Sequence, residues 1–188
     1  MQRLHMPPGD RKIVAMKSCF LVSSGRLKNE SETGMEDPID IAKILNALGR
    51  IWRPQPPADE AAIVSLRKSA SVLLPDEYYD LLRTSNGGEG PIDLPPLYFQ
   101  LYDAEVAGEI NRAPLQQESY PGFFVFGSNG GLETLAFDFR NYFPWPIVMF
   151  DPIAGPESAV IIATNMSDFI RAIGIDRNRF RFRIAEDD

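Results

Sequence analysis

The chain has 188 residues, 44% of them hydrophobic and 24% charged. That composition suits one globular domain that needs neither disulfides nor metals, and it excludes wholesale disorder. The formal net charge is -7 and unevenly spread: residues 1–34 carry six Lys or Arg against three acids, and the remainder carries 13 against 23. An acidic body disfavours non-specific nucleic-acid or anionic-membrane binding and favours encounter with a basic protein, although acidity also serves plain solubility.

Residues 1–34 mix Pro7, Pro8, Gly9, Gly25 and Gly34 with scattered charge and no sustained period. They read as a disordered tail or an upstream extension, with Met35 as a candidate start. The only Cys, Cys19, and the only His, His5, lie there. One cysteine makes no internal disulfide, so a cytoplasmic location is expected. Ile13 to Val22 is interrupted by Lys17 and Ser18, too short for a membrane span.

Residues 35–57 read as a helix and a linker. Asp37 is the expected N-cap with Pro38 in the first turn, Ile41, Ile44, Leu45 and Leu48 form one apolar face, and Gly49 stops the helix. Arg53-Pro54-Gln55-Pro56-Pro57 then breaks regular structure. Residues 58–174 form the main domain. Ala58 to Ser69 is helical, with Ala62, Ile63, Leu66 and Ala70 inward. A second helix opens at Pro75-Asp76-Glu77 and ends at Ser85-Asn86-Gly87-Gly88, where Asn and Gly tolerate positive φ. Strands follow at Gly90 to Ile92 and Leu97 to Tyr102, and a helix from Asp103 to Asn111 presents Glu105 and Glu109 one turn apart.

Tyr120 to Phe139 is the hairpin around which the chain is organised. Phe124, Val125 and Phe126 lead into Gly127-Ser128-Asn129-Gly130-Gly131, and Leu135, Ala136, Phe137 and Phe139 lead out. Such residues favour a pleated, buried surface, so the hairpin belongs at the centre of a sheet. Pro146 to Pro152 and Ala159 to Ala163 give two more strands, Ser167 caps a closing helix, and Gly174 stops it. Residues 175–188 are a tail in which Arg177, Arg179, Arg181 and Arg183 alternate with Asn178, Phe180 and Phe182. A frayed end or a strand added to a sheet edge explains that run better than nucleic-acid contact.

From Met35 onward the chain has neither His nor Cys. That removes Ser-His-Asp and Cys-His nucleophiles, an imidazole base and the usual zinc sites. Neither glycine-rich stretch matches a Walker A loop or a dinucleotide turn. Asn86, Gly87 and Gly88, and Gly127, Gly130 and Gly131, read instead as structural turns that need positive φ. Carboxylates remain: Glu89, Asp93, Asp103, Glu105, Glu109, Glu133, Asp138 and Asp151. Carboxylate-only hydrolysis is chemically feasible, but no spacing pairs two of them. No catalytic residue, cofactor or metal is therefore expected.

Leu74-Pro75-Asp76-Glu77-Tyr78-Tyr79-Asp80-Leu81-Leu82 with Asn86-Gly87-Gly88, and Phe126-Gly127-Ser128-Asn129-Gly130-Gly131 with Phe137-Asp138, resemble the ordered motifs of the SMI1/KNR4 (SUKH) superfamily over residues 58–173. Ser128-Asn129 departs from the pattern, which often has an acid there. The resemblance implies an α+β fold, a mostly antiparallel twisted sheet of about five to six strands with helices packed against it. It also implies a binding protein. Bacterial members look like immunity proteins that neutralise a cognate toxin domain, often a nuclease, and fungal members act as regulatory scaffolds. Fold analogy alone does not choose between these. The expected partner is a protein, with no nucleic acid and no membrane, and Glu89, Asp93, Glu105, Glu109 and Glu133 are the candidate contact residues.

Overall fold

The computed structural model describes residues 39–141 and 143–177. In chain order the elements are α1 (Ile41–Leu45), β1 (Arg53–Pro54), α2 (Glu60–Ser69), α3 (Asp76–Thr84), β2 (Gly88–Pro91), β3 (Tyr98–Leu101), α4 (Ala104–Arg112), α5 (Pro114–Ser119), β4 (Phe123–Ser128), β5 (Thr134–Asp138), β6 (Ile147–Phe150), β7 (Val160–Ala163) and α6 (Met166–Ala172). The seven strands form one antiparallel sheet in the order β1-β2-β3-β4-β5-β6-β7. The hairpin β4–β5 lies at its centre, as the apolar runs predict.

Phe123, Phe124, Val125 and Phe126 show no polar alternation because β4 is buried on both faces. Phe124 and Phe126 join Phe99, Leu135, Phe137 and Ile147 on the face covered by helix residues such as Ile63, Leu66, Tyr78, Leu82 and Phe169. Phe123 and Val125 join Ala136, Val148 and Phe150 on the opposite face, against Ile110, Tyr120 and Ala159. Tyr78 on α3 is central to the first core, with ring centroids 5.5–6.1 Å from Phe124, Phe126 and Phe137.

The local differences from the sequence reading have local causes. Asp37 lies outside the described residues, and Asp40 is the cap of α1, its Oδ1 accepting from Lys43 N at 2.9 Å. α1 ends at Leu45, one turn too early to carry Leu48 onto its buried face, so Leu48 is exposed. The supposed linker supplies β1, which pairs Arg53 with Glu89 and Pro54 with Gly88; proline is tolerated there because the strand is a sheet edge. This is the strand beyond the six that the sequence predicts. α5 is unanticipated, with Pro114 starting it. Asn165, not Ser167, caps α6 by accepting from Asp168 N at 2.8 Å, while Ser167 in the first turn donates to Glu77 on α3.

Gly127 is not a turn residue. It lies within β4 at a register irregularity, paired with Leu101 and Leu135, and a Cβ there would sit 2.5 Å from the Gln100 carbonyl oxygen and 2.7 Å from the Phe99 ring. Close strand approach, not positive φ, demands that glycine. The turn itself spans residues 129–133, and of its two glycines only Gly130, at φ 74, has a positive φ. Gly87 and Gly88 have φ 99 and 131, as the reading of that turn requires. Residues 1–38, including His5, Cys19 and Met35, and the alternating tail beyond Arg177 lie outside the described residues.

Candidate functional site

An open concavity with convergent polar groups, about 820 Å³, lies at the β1 edge of the sheet. Arg53, Gln55 and Pro56 form one wall, Asn86 to Glu89 and Gln100 the floor, and Tyr102, Asp103 and Glu105 the opposite wall. Its construction begins at Ser85, which is fully buried. The Ser85 hydroxyl donates to the Gly87 carbonyl at 2.5 Å and accepts from Gln55 N at 3.2 Å and Trp52 Nε1 at 3.3 Å. One hydroxyl thus ties the segment carrying β1 to the turn after α3. Gly88 is required beneath that tie, because a Cβ there would lie 2.7 Å from both the Arg53 carbonyl oxygen and the Trp52 ring. Trp52 in turn stacks on Phe99, 5.8 Å between centroids.

The other wall is set by helix capping. The Asp103 carboxylate accepts from Val106 N at 2.7 Å, and Asn86 Oδ1 accepts from Ala104 N at 2.8 Å while its Nδ2 donates to Glu105 at 3.3 Å. Asn86 is therefore more than a turn former: it docks the start of α4 against the Asn-Gly-Gly turn.

Of the five acids singled out in the sequence, Glu89 and Glu105 line this groove, joined by Asp103. Glu89 is paired with Arg53 at 3.1 Å. Desolvation first, then the nearby Glu89 carboxylate, hold the Tyr98 hydroxyl above its ordinary pKa against the opposing pull of Arg53. Tyr98 links the groove to the β4–β5 turn, since a Cβ on Gly130 would lie 3.3 Å from its ring. Glu133, in that turn, accepts from Asn129. Glu109 is exposed one turn further along α4 and does not line the groove. Asp93 belongs elsewhere. Its amide bonds the Ala172 carbonyl at the end of α6, and its carboxylate pairs with Arg177.

Sequence reasoning missed Arg53 and Gln100 as lining residues of this groove, Tyr98 beside it, and Ser85 as the buried tie beneath it. Alternation of Tyr98 and Gln100 with buried Phe99 and Leu101 was a readable sign of their outward direction. Ser85 carried no such sign, because its partners lie 30 and 33 residues away. Asp138, by contrast, is structural. Its carboxylate receives the Arg140 guanidinium at 2.8 and 2.9 Å and the Arg140 amide at 3.1 Å, and that guanidinium covers the Phe123 ring. Among the described residues no three His, Cys, Asp or Glu side chains group as a metal site, and no helix is long and apolar enough to cross a membrane.

A groove at the strand edge after an Asn-Gly-Gly turn, on a sheet centred on the Phe-Gly hairpin, sets the motifs in one architecture. Residues 57–172 match the SMI1 / KNR4 family (SUKH-1). The chain belongs to that family. The match runs from the segment before α2 to the end of α6, so this SMI1/KNR4 protein builds one wall of its groove, Arg53 to Pro56, from residues that precede the matched region. No curated protein matches the chain.

Proposed function

We propose that this SMI1/KNR4 protein is a non-enzymatic protein-binding domain that acts as an immunity protein, neutralising a cognate toxin domain with a basic surface, such as a nuclease, by direct binding in the cytoplasm. The observation that carries the reading is the groove: Glu89, Asp103 and Glu105 lie in one open concavity whose only basic side chain among the described residues, Arg53, is already engaged by Glu89. Acids so arranged raise the association rate with a basic surface, and the neighbouring Tyr98 ring supplies an aromatic of the kind that carries affinity. Family membership supports a binding role.

The test is to express the protein with the toxin domain encoded beside it. Protection of cells, and a purified complex that weakens with salt, support the reading. Failure to protect against every neighbouring toxin domain would sink it, and recovery of a cellular partner bound through the same groove would replace it with a regulatory scaffold. Hydrolase turnover with magnesium or calcium present would overturn the non-enzymatic part.

A further inference from the structure

We propose that the cavity between the end of α4, α5 and the start of β4 binds a neutral, planar heteroaromatic molecule of nucleobase or nucleoside size. The cavity holds about 290 Å³, at the small end of ligand pockets, and shares no lining residue with the groove. Four aromatic residues line it, Tyr120, Phe123, Phe124 and Phe139, together with Gln116 and Gln117. The chain forms it by turning twice within a few residues: Pro114 starts the short α5, and Gly122, at φ 89, turns the chain into β4.

Among the described residues, two side-chain polar atoms are buried without a hydrogen-bond partner, the Tyr78 hydroxyl and Gln116 Nε2. Tyr78 is enclosed by core rings, whereas Gln116 lines the cavity. A buried donor without an acceptor is costly, so a ligand carbonyl or ring nitrogen offered to it gains a hydrogen bond that the protein alone does not make. Most other polar side chains of the cavity are already engaged. Asn111 is held by Val125 and Ala107, Ser69 donates to the Leu66 carbonyl at 2.8 Å, Gln117 to the Asn111 carbonyl at 3.2 Å, and the Tyr120 hydroxyl to the Pro152 carbonyl at 2.6 Å. Gln116 therefore sets the polar contact. The aromatic residues call for a flat body, since every heteroaromatic base has a face to stack. Among the described residues no Lys, Arg, Asp or Glu lines the cavity, so nothing there balances a phosphate, a carboxylate or an ammonium. A base or nucleoside fits these terms and a nucleotide does not. The acidic body also disfavours the same base carried on a nucleic-acid strand.

Titration of the full chain with adenosine, inosine, cytidine and uridine, followed by proton–nitrogen correlation NMR, tests this. At least one nucleoside should bind saturably with a Kd of about 0.01–1 mM, moving the Gln116 side-chain amide signals and the backbone signals of Gly122, Phe123 and Phe124. Gln116→Leu should weaken that binding about tenfold. Ser71→Trp, at an exposed position that lines the cavity, should abolish it by filling the space, with circular dichroism unchanged. Should Gln116→Leu misfold, Ser71→Trp carries the test alone. Absence of saturable binding by every nucleoside up to about 10 mM, or binding that Ser71→Trp leaves intact, overturns the proposal. Toluene binding as tightly as the nucleosides would remove the role of Gln116 and overturn it too. A single-stranded oligonucleotide that binds here while nucleosides do not would overturn it in favour of a strand. Shifts at these signals only when the toxin domain is added would overturn it in favour of a partner's side chain.

Discussion

Tyr78 occupies the centre of the helix-side core with its hydroxyl buried and, among the described residues, without a hydrogen-bond partner. Desolvation, with smaller contributions from Tyr79 and Asp103, pushes that hydroxyl far above the ordinary tyrosine range. Tyr78→Phe keeps the ring contacts and removes a desolvated group, so urea denaturation should show stability unchanged or higher by up to about 1 kcal/mol. Asp138 has the opposite character. Burial alone would raise its carboxyl pKa, but hydrogen bonds from the Arg140 side chain and amide, aided by its charge, outweigh burial and hold it below the usual value. With the folded pKa below the unfolded one, near 3.9, the contribution is present above that pH and is lost as pH falls through the folded value. Asp138→Asn should therefore cost about 1–2 kcal/mol at neutral pH and flatten the acid limb of a stability-against-pH curve. A wild-type acid limb in the variant would show that Asp138 is not the group involved. From sequence Asp138 was one scattered acid among several, because Arg140, two residues on, becomes its partner only once the backbone there brings the two side chains together.

Among the elements, β4 shows how an incomplete ladder is closed. β3 pairs with β4 only through Gln100 and Leu101, followed by the bond from Tyr102 N to the Phe126 carbonyl at 3.0 Å. Beyond that point the buried side chain of Asn111 on α4 takes the place of a strand, accepting from Val125 N at 2.9 Å and donating to the Val125 carbonyl at 2.8 Å. Asn111→Ala leaves both backbone groups buried without partners, which should lower the unfolding free energy by about 2–4 kcal/mol and speed exchange of the Val125 amide. Wild-type protection at Val125 would count against this account. The amphipathic spacing of α4 was legible, since Ala104 and Ala107 turn inward while Glu105 and Glu109 turn out. The role of Asn111 was not, because an asparagine at the end of a predicted helix looks like a terminator whatever lies beside it.

For the molecule as a whole, the prediction separates binding from folding. Glu89 and Glu105 are partly or fully exposed, and their contacts with Arg53 and Asn86 are surface contacts. Replacing both by Lys should change the unfolding free energy by less than about 1 kcal/mol. It should also slow association with a basic toxin domain by about tenfold or more at low salt, measured by surface plasmon resonance. Asp103 is unsuitable for the same test, because its loss also uncaps α4. A double variant that binds at the wild-type rate would move the interface away from the groove.

The helices α2, α3 and α4, the central hairpin and the family motifs were all written in residue order, because periodicity, caps and glycine turns act over a few residues and depend little on what packs against them. The absence of imidazole and thiol groups from residues 35–188 was legible too, since it holds in any fold. Where the acids gather was not. Glu89 and Glu105 line one groove, Asp93 is carried away to the end of α6, and the proline-rich segment becomes an edge strand. Those placements follow from sheet register and from single long-range hydrogen bonds such as those of Ser85, whose energies belong to pairs far apart in the chain and leave no local pattern.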